Sequence, residues 1–82
     1  MTITEARHKN FGLWSKFVSY TVRHPEIVEG LPRNASLVFG SRSPSLNRYN
    51  LKLGRSIRRK ERRPVFVAML SNKRWNVIPL QS

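Results

Sequence analysis

Two short apolar runs, residues 35–39 (Ala-Ser-Leu-Val-Phe) and 65–70 (Val-Phe-Val-Ala-Met-Leu), flank a stretch whose apolar members recur at helical steps. Runs of this length, rich in β-branched and aromatic residues and bounded by Gly40 and Pro64, predict buried strands. Between them, Leu46, Tyr49, Leu53 and Ile57 form the stripe of a helix. Ser43-Pro44 supplies a cap and a proline at the first helical position, and Pro64 stops the helix near Lys60 or Arg63. Strand, helix, strand in this spacing predicts a parallel pair joined by a right-handed βαβ crossover, which places the chain in the α/β class.

The residues before this unit predict the layer it packs on. Thr2 and Glu5 have capping-box spacing, so a helix starts there. Phe11, Trp14, Phe17, Val18, Thr21 and Val22 then recur at three- and four-residue steps, giving a stripe expected to form half of the core. His24-Pro25 ends that helix, and residues 25–30 read as one further turn terminated by Gly30. Beyond residue 70, residues 71–74 make a polar turn and residues 75–80 an edge strand that tolerates Pro79. The expected fold is helix, strand, helix, strand, with a small, mainly parallel sheet of two to three strands packed on the first helix.

Length restricts this plan to one core. A chain of 82 residues without cysteine cannot divide into two self-sufficient domains, and disulfides, thiol catalysis and cysteine-ligated zinc are excluded. No apolar run is long enough for a secretory signal or a membrane span, so the cytoplasm is the expected location. The charge is uneven. Residues 1–30, the helical scaffold, carry four basic and three acidic side chains, while residues 31–82 carry twelve basic side chains and only Glu61 as an acid. The formal total of +12 implies a polyanionic partner for the second half.

Several local sequences resemble a family of short prokaryotic proteins known as a domain of unknown function. The resemblance is carried by residues 7–11 (Arg-His-Lys-Asn-Phe), His24-Pro25-Glu26, Leu37-Val38-Phe39, the Tyr49-Asn50-Leu51-x-Leu53-Gly54-Arg55 segment and residues 64–67 (Pro-Val-Phe-Val). It covers most of the chain and implies a fold but no activity. Members carry an acidic loop after the first strand, where this chain has residues 40–45 (Gly-Ser-Arg-Ser-Pro-Ser). That departure leaves no basis for a shared function of the loop.

The residues that point to a function are cationic. Arg48, Lys52, Arg55, Arg59 and Arg62 follow steps of four, three, four and three, which puts them on one face of the second helix. They extend over roughly 21 Å at 1.5 Å per residue, enough to follow several phosphates. Arg58, Lys60 and Arg63 widen the row. Guanidinium groups bind phosphate bidentately and stack on bases, so an arginine-dominated face is more telling than a lysine-dominated one. The plain alternative is a solvated outer face, but like charges at helical spacing repel.

Three further features attach to this face. Arg42, Lys73 and Arg74 add cations in the loops. Gly40, Ser41 and Ser43, with Ser45, lie where a strand gives way to a helix and suit an anion-holding loop, although Pro44 lacks an N–H and Ser43 can equally be a plain helix cap. Trp75 and Tyr49 are candidates for stacking on unpaired bases, with burial in the core as the alternative for Trp75.

Nothing in the chain points to catalysis or to a cofactor. His8 and His24 stand apart from any second metal ligand, three of the four glutamates have helix-end explanations, and no nucleophile or metal motif occurs. The expected function is a non-catalytic module that docks on nucleic-acid phosphates, RNA or a ribonucleoprotein before DNA, without metal or cofactor. The alternative is an accessory subunit or antitoxin-like adaptor that binds an acidic protein in a larger complex. Attachment to anionic lipid through the same helix ranks last, since its apolar side is needed for the core.

Overall fold

The computed structural model describes residues 1–80. Three helices, α1 (Ile3–Arg23), α2 (Glu26–Glu29) and α3 (Pro44–Glu61), accompany three strands, β1 (Ser36–Phe39), β2 (Val65–Ser71) and β3 (Arg74–Pro79). The sheet order is β1-β2-β3, with β1 and β2 parallel and β3 antiparallel to β2. The architecture is therefore α/β with an open mixed sheet, and α3 lies between its two parallel strands in sequence.

Strand alternation splits the core into two layers. Phe39, Ala68 and Trp75 project from one face of the sheet and meet Phe17 of α1, with Ile27 and Val28 of α2 alongside. Trp75 makes edge-to-face contacts with Phe17 and Phe39 at centroid distances of 5.1 and 5.8 Å. Such aromatic pairs add about 0.5–1.5 kcal/mol each beyond the area they bury. On the other face Val38, Val65, Val67 and Leu80 pack under α3. Helices thus cover both faces, which is why β1 and β2 read as continuous apolar runs rather than alternating ones.

Several local expectations hold in detail. Thr2 caps α1 by accepting the Glu5 N–H at 3.1 Å, while the Glu5 carboxylate takes up the Thr2 hydroxyl instead of its backbone N–H. α1 ends at Arg23, one residue before His24-Pro25. The Leu80 N–H donates to Val65, so alternation turns position 79 toward the open edge, where proline removes no ladder bond. The β2–β3 turn places Asn72 and Lys73 at positive φ, as a tight hairpin of this hand requires.

The expected core stripes of both long helices are corrected. Phe11, Trp14, Val18 and Val22 are exposed, and of that predicted set only Phe17 is buried. The face of α1 that meets the sheet carries Ala6, Asn10, Leu13, Phe17 and Tyr20, roughly a third of a turn away. On α3 the buried line is Leu46, Asn50 and Gly54, while Leu53 is exposed and Tyr49 half-buried.

Both rotations have one physical cause. Asn50 is almost fully buried and fastens α1, α3 and the free edge of β1 together. Its amide N–H groups donate to the Phe39 carbonyl at 2.9 Å and to Asn10 Oδ1 at 2.8 Å, and its Oδ1 accepts from Asn10 at 2.9 Å. Gly54 lets α3 close on the sheet, because a Cβ there would stand 3.3 Å from Leu80, Val38 and Val65 at once. A polar residue and a glycine therefore mark the inner face of α3, where a reading by hydrophobicity expects the outer one.

Candidate nucleic-acid interface

α3 begins with Pro44 at its first turn and ends on Arg62, whose φ of 54° lies in the left-handed region that terminates a helix. Because Leu46, Asn50 and Gly54 face the sheet, helical spacing carries Arg48, Lys52, Arg55 and Arg59 to the outer side, and all four are exposed. Arg62 at the end of the helix is exposed as well. Among the described residues Arg63 forms an ion pair with Glu61 and the His24 ring lies 3.4 Å from the Glu26 carboxylate, and neither contact uses any of these five cations.

Two of the predicted contact residues have internal partners instead. Arg58 is partly buried and donates from Nη1 to the Leu80 carbonyl at 2.8 Å, tying α3 to the end of β3. Arg63 is paired with Glu61 at 3.1 Å, and its Nε is enclosed without a hydrogen-bond partner among the described residues. Both lie close to where α3 hands over to β2, so their first role is to fix that junction. Arg58 is accordingly withdrawn from the contact row.

Trp75 is withdrawn too. At 4% exposure, with its ring wedged between Phe17 and Phe39, it has no face to offer a base. Its alternation on β3 decides this, because residue 75 projects to the same side as Val77, toward α1 and α2. Tyr49 remains half-buried on α3.

The loop of residues 40–45 is braced from within. Gly40 N–H donates to Ala68, Ser41 N–H to the Asn47 side chain at 3.1 Å, and Ser43 N–H to Ser41 Oγ at 3.1 Å. Ser43 occupies the cap position of α3 without a side-chain capping bond. With these donors occupied, the cationic contribution of the loop is the exposed Arg42 side chain. Arg42 and Lys73 together line a cleft of about 560 Å³ beyond the carboxyl ends of β1 and β2, and Arg74 follows in the same turn.

One feature near the row has no sequence signal. α3 covers β1 and part of β2 but leaves Met69 and Ile78 exposed. Leu51, Val67, Met69, Ile78 and Leu80 line an open groove of about 290 Å³ with Arg55 at its lip. The pairing of β3 with β2 and the seating of α3 on the sheet bring these residues together, so no local spacing announces the groove. Among the described residues there is no group of three or more metal-ligating side chains. No helix among the described residues is long and apolar enough to cross a membrane.

The sequence profile of a Family of unknown function (DUF5647) matches residues 5–81, nearly the whole chain. The chain belongs to this family. The matched range takes in Asn10 and Asn50 of the amide pair, Gly54 against the sheet, and Leu37-Val38-Phe39 in β1. No curated protein and no solved structure matches the chain. The DUF5647 assignment brings no activity with it, and what the chain does has to be read from its geometry.

Proposed function

We propose that this chain is a non-catalytic RNA-binding module that docks on phosphates through the outer face of α3. The observation that carries the reading is the row Arg48, Lys52, Arg55 and Arg59, exposed on one helical face, with Arg62 exposed at the cap that ends the helix, all without an acidic partner among the described residues. Like charges at this spacing repel one another, and a phosphate backbone relieves that repulsion while releasing its own counterions. Arg42, Lys73 and Arg74 extend the positive field at the other end of the sheet.

RNA with unpaired bases is preferred to duplex DNA because of the groove beside Arg55. An apolar recess bordering a guanidinium suits a base whose phosphate is held on the helix, and bases are free to enter only where they are unstacked. This reasoning replaces the stacking role expected of Trp75. No reaction, metal or cofactor is assigned to the chain, and the reading places it in the cytoplasm, where RNA is available.

Co-purification tests the proposal. Protein isolated at low salt is expected to carry nucleic acid, seen as an elevated ratio of absorbance at 260 to 280 nm that ribonuclease treatment lowers to that of the protein alone. A ratio already at the protein value, with an acidic protein retained after nuclease, gives the row to a protein partner instead and overturns the proposal.

A further inference from the structure

We infer that the chain pairs with a second copy of itself through α1, an association separate from the proposed RNA contact. Ile3, Arg7, Phe11, Trp14, Val18 and Val22 follow steps of four, four, three, four and four, a continuous line along the full helix. None of it is buried: Phe11 and Trp14 are 67% and 52% exposed, and Val22 is 78% exposed. Phe11 and Trp14 already lie against each other at 6.1 Å. α1 therefore has two apolar faces, one spent on the sheet through Phe17 and one that no described residue covers.

Size selects the occupant. An aromatic side chain hides roughly 150–250 Å² when covered, so with the aliphatic residues the line offers on the order of 500 Å² per chain. Two copies together reach about 1,000 Å², the threshold for a specific interface. Lys9, Lys16 and Arg23 lie on the side of α1 away from the line, as in helices that rest on lipid, so anionic vesicles are the rival occupant that the test below includes. The paired area is what selects a second copy.

The charge of +12 does not oppose this pairing. α1 and α3 pack on opposite faces of the sheet, so joining two copies through α1 leaves both cationic rows outside, separated by more than the ~10 Å over which salt screens them. An antiparallel arrangement about a twofold axis near residues 11–14 sets Phe11 of one copy on Trp14 of the other. It also holds the two Arg7 side chains apart, whereas a parallel one would bring them together.

Sedimentation equilibrium on nuclease-treated protein at moderate salt tests the inference. The expected mass is twice the 9.6 kDa of the chain at tens of micromolar. Phe11→Glu and Trp14→Lys are each expected to give monomers with unchanged circular dichroism, since neither side chain is buried in the fold. Mixing the two variants is expected to restore the dimer, through one Glu–Lys and one Trp–Phe contact. A wild-type monomer at every concentration, including one that floats with anionic phosphatidylglycerol vesicles, overturns the inference. So do single variants that still dimerise, and failure of the mixture to reassociate overturns the antiparallel arrangement.

Discussion

Replacing Arg55 and Arg59 together by Glu is expected to weaken binding to single-stranded RNA by at least a hundredfold while the thermal midpoint moves by no more than about 3 °C. Each hydrogen bond to a charged group contributes about 1.5–3 kcal/mol, and a tenfold change in affinity corresponds to about 1.4 kcal/mol, so losing two such contacts reaches a hundredfold before repulsion is counted. The small change in stability follows from exposure, since neither side chain has an ion-pair partner among the described residues. The same exchange at Arg58 is expected to behave differently. Its guanidinium holds the Leu80 carbonyl, so Arg58→Glu is expected to act chiefly by lowering the thermal midpoint. Fluorescence titration with a labelled oligoribonucleotide and a melting curve separate the two responses. If the double variant binds as well as the wild type, α3 is not the contact face.

Asn50→Ala is expected to cost about 3 kcal/mol, or some 15 °C in melting temperature for a chain of this size. The substitution leaves the outward Phe39 carbonyl without its donor and strips Asn10 of both its partners. It also opens a void beneath α3. Asn10→Ala is expected to cost less, near 1 kcal/mol, because Asn10 is only partly buried and water can reach its place. The two effects should add to more than the loss in the double variant, since both residues make the same pair of bonds. Full additivity in urea denaturation would mean the amides are not coupled.

The elements were legible in the sequence because each is bounded by a residue with a strong local rule. Pro25, Pro44 and Pro64 set helix limits, Gly40 closes β1, and Thr2 opens α1. Which side of each helix turns inward was not legible. α1 carries two apolar faces, and the more aromatic one stayed outside because Asn10 had to reach Asn50 and the small Ala6 had to approach the sheet. On α3 the inner line runs through an asparagine and a glycine, whose roles depend on partners distant in the chain. Helical spacing keeps Arg48, Lys52, Arg55 and Arg59 on one side of α3 whichever residues point inward, whereas Arg62, expected on the same helical face, caps the helix in a left-handed conformation. Arg58 was grouped with the outward cations because the Leu80 carbonyl that receives it lies 22 residues along the chain, out of reach of any local spacing.

The central claim concerns charge. A salt titration of affinity for a homopolymeric oligoribonucleotide measures directly how many phosphates the protein neutralises. With about five cations of α3 engaged, the logarithm of affinity is expected to fall against the logarithm of salt concentration with a slope of roughly −4, and the slope should become shallower by about 1 when Arg55 alone is replaced by Gln. A slope near zero, or one that Arg55→Gln leaves unchanged, would contradict the claim that the outer face of α3 meets a phosphate backbone.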